Sequence, residues 1–337
     1  RRSGGTLRIT AQLIDAASGY HLWSQTFDRD EGDVFRIQEE IAESVVVGLG
    51  GGEATEVKAE FPATKLSAYE AFLRGRHALA TFGPRSLARA IEEFEACIRI
   101  DDTYAPAFAG LADALTSQSI GFSDHPAGES MGRAGKAAQR ALKLDPNLAE
   151  GYFARALVRM WYEFDYAAAK NDFDRALEIN PNFADAYLWL EFYWTYVRCQ
   201  YDEALAANRQ ASRLSPLDSR ADVRLGTLEM LFGRLDEAEV THRKALVDNP
   251  EDGVSHLGLG DTLFRLGRHE ESLYHLQEAL RLGGRPTPWL GICAGFLGAA
   301  GEEMKAEEIL ADLEERMRDG YVSGFWMAVA LGGLSRY

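Results

Sequence analysis

Four prolines recur at a nearly constant spacing through the middle of the sequence: Pro146, Pro181, Pro216 and Pro250. The intervals between them are 35, 35 and 34 residues. Each proline follows a stretch with apolar residues at helical spacing. It ends that helix because it has no backbone N–H to donate and disfavours the α conformation of its predecessor. A period near 34 residues, with helices between the marks, predicts an array of stacked helical hairpins.

Small residues repeat in phase with these prolines. The helix before each proline carries two alanines seven residues apart, as at Ala204 and Ala211, and small side chains there let neighbouring helices approach closely. A bulky residue such as Phe173 is expected to fill the space between two such alanines. The preceding helix carries Leu-Gly or Leu-Ala, at residues 111–112, 225–226 and 259–260. Glycines expected to adopt a left-handed conformation between the two helices follow at Gly233, Gly267 and Gly301.

These in-phase residues resemble the tetratricopeptide repeat, which has Leu-Gly or Leu-Ala in its first helix, two alanines in its second helix and a closing proline. The resemblance implies a mainly α fold, namely an α-α superhelix of about seven and a half repeats. The expected units are 67–102, 105–146, 149–181, 184–216, 219–250, 253–284 and 287–318, followed by a further first helix from Val322 to Leu334.

Three places depart from the regular spacing. The third and fourth units carry one extra residue near the turn between their helices. The second unit carries a longer insertion, Ser119–Ser130, which is expected to form a loop. In the sixth unit, Gly283 and Gly284 replace the closing proline.

The first 49 residues follow a different pattern. Polar and apolar residues alternate over 6–13 and again over 20–28, which predicts two strands. The cluster Asp15–Gly19 predicts a turn between them, and the segment from Asp33 has helical spacing. A hairpin with one helix is too small to be stable alone, so we expect a small α/β remnant that completes a larger sheet.

The segment Leu7–Ala42 resembles the C-terminal end of the TolB-like domain of bacterial signalling proteins. The resemblance implies a TolB-like part at 1–49, a linker at 50–65 and the repeats at 66–337. In that family the upstream effector is an adenylate cyclase, a winged-helix transcription regulator or a serine/threonine kinase. Because the sequence opens on Arg1 and not on Met, we interpret it as a piece of a longer protein.

Composition restricts the class of partner. The net charge is −16 and the isoelectric point is near 5.0, which argues against nucleic acid because phosphate binding needs clustered Lys and Arg. The sequence has no apolar run of the length that a membrane helix needs. Its three cysteines, Cys97, Cys199 and Cys293, are dispersed, and we expect buried free thiols.

The sequence lacks the residue patterns typical of catalytic, metal-binding or phosphate-binding sites. The seven histidines do not show the spacing of zinc ligands, and the glycines at Gly48–Gly52 follow a helix instead of a strand, unlike a phosphate-binding loop. No set of nucleophile, base and orienting residue stands out. We therefore expect no catalytic residue, metal or cofactor in this chain.

The remaining candidate site is the concave groove lined by the first helices. By phase, Val223 and Leu257 occupy the position where some tetratricopeptide domains place a carboxylate-binding Lys, so that type of clamp is not expected. An apolar groove that takes a peptide or a helix is expected instead. The candidate groove residues are Phe153, Leu157, Leu188, Phe192, Arg220, Val223, Thr227, Met230, Val254, Leu257, Asp261 and Phe264.

The leading hypothesis is a non-catalytic interaction and regulatory module of a bacterial signalling protein. The expected partner is a protein or peptide in the groove, with self-association through the ends of the array as a further mode. Two alternatives remain open: the regulatory C-terminal region of an adenylate cyclase, kinase or transcription regulator, and a small-molecule sensor. We expect a cytoplasmic location, or a periplasmic one if a membrane helix precedes this segment.

Overall fold

The computed structural model describes residues 2–3, 6–14, 21–30, 64–81, 83–121, 127–216, 220–319, 322 and 324–335. The chain divides into two compact units, Arg1–Tyr69 and Glu70–Tyr337.

The N-terminal unit contains a three-stranded antiparallel sheet. Its strands are β1 (Arg2–Ser3), β2 (Thr6–Ile14) and β3 (His21–Asp30), in the spatial order β1-β2-β3. The predicted pair of strands at 6–13 and 20–28 is thereby confirmed. The predicted turn at Asp15–Gly19, the predicted helix from Asp33 and most of the predicted linker lie outside the described residues.

The two long strands have one polar and one less exposed face. Arg8 donates two hydrogen bonds to the carboxylate of Asp28 across the ladder, at 2.6 and 2.8 Å, and both side chains are exposed. On the opposite face Phe27 is buried and pairs with the half-buried Ile9. Side chains along a strand alternate between its two faces, so the alternation of polar and apolar residues in the sequence places them on opposite faces of this sheet.

Fifteen α-helices form the rest of the described chain. In order they are α1 (Leu66–Ala80), α2 (Pro84–Ile100), α3 (Ala105–Gly121), α4 (Ala127–Leu144), α5 (Ala149–Val158), α6 (Tyr166–Ile179), α7 (Ala184–Phe192), α8 (Tyr201–Leu214), α9 (Arg220–Leu231), α10 (Leu235–Asp248), α11 (Gly253–Arg265), α12 (His269–Gly283), α13 (Thr287–Ala299), α14 (Glu303–Asp319) and α15 (Gly324–Gly333).

These helices pair as the repeat spacing predicts. From α3 onwards, odd-numbered helices pack against the even-numbered helices that follow them, and α3 also packs on α5, α9 on α11, and α13 on α15. α1 contacts α2 through Phe72 and Phe94, whose ring centroids are 5.9 Å apart. The result is an α-α superhelix of seven helical hairpins and an eighth first helix. Each first helix is odd-numbered, and each second helix is even-numbered.

The turns within the later hairpins use glycine as expected. Gly233, Gly267 and Gly301 have φ angles of 78°, 77° and 82°, a left-handed conformation that glycine adopts without a steric penalty. Where glycines replace the closing proline, Gly284 takes the same conformation, with φ 74°.

The extra residue of the third and fourth units is accommodated in the helix itself. α5 and α7 each continue as a π-helical turn, over Arg159–Glu163 and Tyr193–Val197. A π turn holds one residue more than an α turn, so the following helix keeps its place. Phe164 and Cys199 come after these turns with φ angles of 55° and 53°, where other hairpins have glycine.

The predicted loop at Ser119–Ser130 is wrong at both of its ends. α3 continues to Gly121 and α4 begins at Ala127, so much of the insertion lengthens the two helices. Residues 122–126 lie outside the described part of the chain. Ser119 is compatible with the longer helix because its hydroxyl donates a hydrogen bond to the carbonyl oxygen of Leu115, at 2.9 Å.

The expectation of three buried thiols is also corrected. Cys97 and Cys293 are buried and free, but Cys199 is exposed. The difference follows from the π turn, because Cys199 lies in the connection after it and not within a packed helix.

Large side chains of second helices fill space beside small residues. Phe173 is fully buried between Ala169 and Ala176, as predicted. Phe94 of α2 is equally buried, and a Cβ atom on Gly75 or Gly110 would lie 2.8 or 2.6 Å from its Cε1 atom. The glycines therefore permit the close approach of first helices to this ring.

Candidate functional site

The first helices of six successive hairpins contribute to a single pocket of about 400 Å³. It lies along the first helices, which are the helices expected to line the groove. We call it the groove pocket. Its lining residues are Arg76, Leu79, Ala80, Asp113, Ser117, Phe153, Asp185, Leu188, Trp189, Arg220, Val223, Arg224, Asp252 and Val254.

A second pocket of about 320 Å³ adjoins the groove pocket and shares Arg76, Asp113 and Asp185 with it. It adds polar groups from the loop before α7, including Asn180, and the carboxylate of Glu150 from α5. The two pockets together extend the groove towards the start of α7.

Five of the twelve candidate residues line the groove pocket. Two of them, Arg220 and Val254, are exposed, and Val254 retains 47% of its accessible surface. The other three are buried at the wall of the pocket, with little surface of their own. The five residues are Phe153, Leu188, Arg220, Val223 and Val254.

The structure does not place Leu157 and Met230 in the groove pocket, although both were predicted to face the groove. Leu157 is fully buried in the core formed by the third and fourth hairpins, and Met230 keeps only 6% of its surface. Neither side chain lines the groove pocket. Both residues therefore stabilise the packing between helices instead.

The other five candidates are half-buried and lie outside the lining of the groove pocket. Three of them already have partners: Thr227 donates a hydrogen bond to the carbonyl oxygen of Val223 at 3.2 Å, Asp261 accepts one from Arg265 at 2.7 Å, and Phe264 packs on Phe296. The five residues are Phe192, Thr227, Leu257, Asp261 and Phe264.

Asp113 is the most important residue that the sequence analysis missed. A signal was present, because Leu111-Ala112 aligns with Leu225-Gly226 and Leu259-Gly260, and this alignment places Asp113 at the repeat position of Thr227 and Asp261. No groove residue was expected from the first two hairpins. The structure brings residues of both into the groove pocket, at Arg76 and Asp113.

Two arginines of α9 are held at the wall of the pocket by carboxylates of the preceding hairpin. Arg220 pairs with Asp185 at 2.8 Å, and both side chains are partly exposed. Arg224 pairs with Glu191 at 2.5 Å, and the Glu191 side chain keeps only 3% of its surface. Thr195 donates a second hydrogen bond to Glu191 at 2.8 Å. The buried carboxylate thus has two partners, as a buried charge requires.

Asp113 lies within the groove pocket with fewer partners. The hydroxyl of Ser117 donates a hydrogen bond to Asp113 Oδ1 at 3.1 Å. Burial raises the pKa of this carboxyl to about 7, and the negative charge of Asp185 acts in the same direction. The Ser117 hydrogen bond and the positive charges of Arg220 and Arg76 oppose the increase. The protonation state of Asp113 therefore changes near neutral pH.

An aromatic cluster, defined as Trp161, Trp189, Phe192 and Tyr196, adjoins the groove pocket. Trp161 contacts Trp189 and Phe192 with ring centroids 6.0 and 5.0 Å apart, and Tyr196 stacks on Phe192 at 4.2 Å. The guanidinium of Arg224 lies 5.8 Å from the centroid of Trp189. Arg224 is therefore oriented by both the cluster and Glu191, which makes the pocket wall rigid.

Within the described ranges, no group of three or more His, Cys, Asp or Glu side chains is arranged to hold a metal ion. None of the described helices is both long enough and apolar enough to cross a membrane. The chemical groups that the groove pocket offers to a ligand are guanidiniums, carboxylates, one hydroxyl and apolar side chains.

Comparison with protein families agrees with the helical pattern. A tetratricopeptide repeat model matches residues 199–250 and 242–285, and a second model of the same description matches residues 149–183. These segments cover the third hairpin, the second helix of the fourth hairpin, and the fifth and sixth hairpins.

A relative and two solved structures extend this similarity. A putative adenylate cyclase 3 of Rhizobium meliloti (strain 1021) is 30% identical over 165 residues, which are 48% of this chain and 28% of that protein. The chain thus spans little more than a quarter of the length of this curated relative. A tetratricopeptide repeat protein of Parabacteroides merdae has a TM-score of 0.53 at 18% identity, over 80% of this chain and 100% of that one.

A monomeric mutant of IFIT1, solved with m7Gppp-AAAA, has a TM-score of 0.60 at 15% identity, over 84% of this chain and 64% of that one. At these identities the two solved structures inform the fold alone. Together with the family matches, they lead to one conclusion about the C-terminal unit: it has the fold of a tetratricopeptide-type superhelix, in which residues 149–183, 199–250 and 242–285 match tetratricopeptide repeat models.

Proposed function

We propose that the groove pocket binds a segment of another protein, and that this binding is the regulatory, non-catalytic task of the chain. A tetratricopeptide array is a protein–protein interaction module. The observation that carries the proposal is the groove pocket itself, because first helices of six hairpins contribute to one continuous surface.

The chemistry of the pocket suits a peptide. Apolar side chains such as Leu79 and Val254 offer surface for apolar anchors, and charged groups line the same pocket. An extended or helical segment buries apolar anchors and is placed in register by its polar contacts. Large aromatic residues beside the pocket, such as Trp189, are typical of sites where a few contacts supply most of the binding energy.

The signalling context is a further part of the proposal. The matched relative is described as a putative adenylate cyclase, and the similarity covers about half of this chain. The β2–β3 hairpin is the secondary structure expected for the end of a TolB-like domain at 1–49. We infer that residues 1–49 are such an end and that the array regulates an effector of the signalling protein.

Peptide selection tests the binding role. The immobilised chain is screened against a display library of random twelve-residue peptides, and enriched peptides are synthesised with a fluorophore. Their affinity is measured by fluorescence polarisation for the original chain and for Val254→Glu. We expect the substitution to weaken binding at least tenfold, because it places a charge on an exposed apolar wall of the groove pocket.

The matched control is Val247→Glu. Val247 is 80% exposed on α10 and lies outside the groove pocket, so its replacement should change the affinity less than twofold. Failure of the library to yield any binder, or equal loss of affinity in both variants, would contradict binding in the groove pocket.

The adenylate cyclase alternative has its own test. If the array is the regulatory region of a cyclase, the complete natural protein converts ATP to cyclic AMP, and a peptide selected above changes that rate. A complete protein without cyclase activity rules out this alternative, while the peptide-binding role is judged separately by the polarisation assay.

A further inference from the structure

Charged groups are unevenly compensated within the groove. The pocket and the ion pairs at its wall bring together three guanidinium groups and four carboxylates. The guanidiniums belong to Arg76, Arg220 and Arg224, and the carboxylates belong to Asp113, Asp185, Asp252 and Glu191. With every group ionised the site therefore has an excess negative charge, and the adjoining pocket adds the carboxylate of Glu150.

Asp113 is the carboxylate of this group that has neither an ion pair nor a capping role among the described residues, and the guanidinium of Arg76, which lines the same pocket, offsets part of its charge. Asp185 and Glu191 are paired with Arg220 and Arg224, and Asp252 caps α11 by accepting a hydrogen bond from the backbone N–H of Ser255 at 3.0 Å. For Asp113, the described residues provide one hydrogen bond, from Ser117, and no ion pair.

The wall of the groove pocket also includes apolar side chains that could contact the stem of a long side chain. Leu79 of α1, Phe153 of α5 and Leu188 of α7 line the pocket with Asp113. Lys and Arg side chains place their methylene groups against apolar surface and keep the charged end at a polar partner. A carboxylate within an apolar pocket matches that combination.

We propose that the groove pocket recognises a Lys or Arg side chain of its partner segment, with the cationic end bound at Asp113 and the methylene stem against Leu79, Phe153 and Leu188. This inference rests on the proposed peptide-binding function and names the chemistry of its ligand. A competing acidic side chain would meet guanidiniums that already interact with carboxylates, because Arg220 and Arg224 each have a carboxylate partner and the charge of Arg76 acts on Asp113.

The recognition depends on pH in a defined direction. Burial and the negative charge of Asp185 raise the pKa of Asp113 to about 7. The Ser117 hydrogen bond and the positive charges of Arg220 and Arg76 act in the opposite direction. The carboxylate of Glu150 lines the adjoining pocket. A bound cation requires the ionised carboxylate. Affinity for a basic peptide is thus expected to rise about tenfold between pH 6 and pH 8, because the ionised fraction rises by that factor around a pKa near 7.

The test uses four pools of fluorescent nine-residue peptides with Lys, Arg, Gln or Glu at the central position and random residues elsewhere. Binding to the full chain is measured by fluorescence polarisation at pH 8. We expect the Lys and Arg pools to bind at least tenfold more tightly than the Gln pool, since a hydrogen-bonded ion pair at a half-buried carboxylate discriminates by about that factor. The Asp113→Asn variant should reduce this preference to less than twofold.

Asp261→Asn is the matched control, because Asp261 occupies the same repeat position in α11, is paired with Arg265 and lies outside the groove pocket. It should retain the preference. Equal binding of the Lys and Gln pools, tightest binding of the Glu pool, or an undiminished preference in Asp113→Asn would overturn the inference. If no pool binds and the display library yields no binder, the proposed function itself fails.

Loss of folding does not confound the Asp113→Asn result. The replacement removes a carboxyl whose folded-state pKa is raised from 3.8 to about 7, so the original group destabilises the folded chain increasingly between those two pH values. The variant is therefore expected to have a Tm at pH 8 at least as high as that of the original chain. A lower Tm would show that Asp113 stabilises the fold, and would contradict the assignment of an uncompensated carboxylate.

Discussion

The imidazole ring of His242 lies directly against the backbone of Gly226, so that a Cβ atom on this glycine would be 2.6 Å from the ring's Cε1 atom. His242 belongs to α10 and Gly226 to α9, and Gly258 of α11 approaches the same ring. The histidine is fully buried, and neither of its nitrogens has a hydrogen-bond partner among the described residues. Two glycines on successive first helices thus enclose one second-helix side chain.

This contact predicts the effect of a methyl group at Gly226. Gly226→Ala should lower the free energy of unfolding by about 2 kcal/mol, because the new methyl group overlaps the buried ring and overpacking exceeds the gain in helix propensity. Gly132→Ala is the control, since a Cβ atom on this helical glycine of α4 has no neighbour within 4 Å. It should raise stability by about 0.5–1 kcal/mol. Chemical denaturation followed by circular dichroism measures both, and equal effects would contradict the contact.

Burial of His242 also predicts sensitivity to acid. Desolvation lowers its pKa from 6.5 to about 4. The neutral ring is the form present in the folded chain. The contribution of His242 to the free energy of unfolding is therefore fully present above pH 6.5 and decreases as the pH falls towards 4. The loss should reach about 3 kcal/mol for this group.

Measurements of Tm between pH 7 and pH 4 test the role of His242. His275 contributes in the same direction, because burial and the neighbouring His256 lower its pKa to about 4. The His242→Leu variant should therefore keep about half of the acid dependence of the original chain. If the variant and the original chain lose Tm in parallel, His242 is not a source of the acid sensitivity.

A buried carboxylate in α6 makes a third prediction. Asp172 accepts hydrogen bonds from Arg155 at 2.7 and 2.8 Å and from Arg159 at 2.6 Å, and its side chain keeps 6% of its surface. Asp172→Ala should cost about 3 kcal/mol, because it leaves two partly buried guanidiniums without their partner.

Asp174 provides the control for Asp172 on the same helix. It pairs with Lys170 at 2.7 Å but remains 46% exposed. Asp174→Ala should change stability by less than about 0.5 kcal/mol, as expected for an exposed pair one helical turn apart. Thermal unfolding of both variants provides the comparison. Similar losses in the two would show that burial does not decide the strength of these ion pairs.

The cysteines should differ in reactivity. Burial raises the pKa of Cys97 to about 11 and that of Cys293 to about 12, and both thiols are buried, whereas Cys199 is exposed. The thiolate is the reactive form, so we expect one thiol per chain to react rapidly with Ellman's reagent at pH 8 in the folded protein. All three should react after unfolding in urea. Absence of the rapid reaction in Cys199→Ser would assign it to Cys199.

The spacing of the repeat residues predicted much of the fold but only part of the groove pocket. The hairpin boundaries, the left-handed glycines and the place of an additional residue in the third and fourth units all follow from local spacing. The spacing did not determine how the chain accommodates the additional residue, because a π turn and a longer loop contain the same number of residues. Its consequence is visible at Cys199, which was expected to be buried and is exposed.

The repeat spacing also did not predict which side chains at one repeat position are exposed. Leu157, Thr227 and Asp261 were assigned to the groove by the same phase, yet Leu157 is fully buried and the other two are half-buried. Asp113 shares that phase and lines the groove pocket. Neighbouring aromatic side chains of the third and fourth hairpins cover Leu157, and such coverage depends on residues outside its own helix and in the following repeat.

The sequence by itself determined the repeat length, the helix ends and the turns. These features depend on the missing N–H of proline, the positive φ of glycine and the small volume of alanine, which act within a few residues. Only the tertiary structure decided which first-helix side chains reach the groove and that Asp113 lies there without an ion pair among the described residues. Those properties depend on how six hairpins pack together, because burial and charge compensation are set by neighbours distant in sequence.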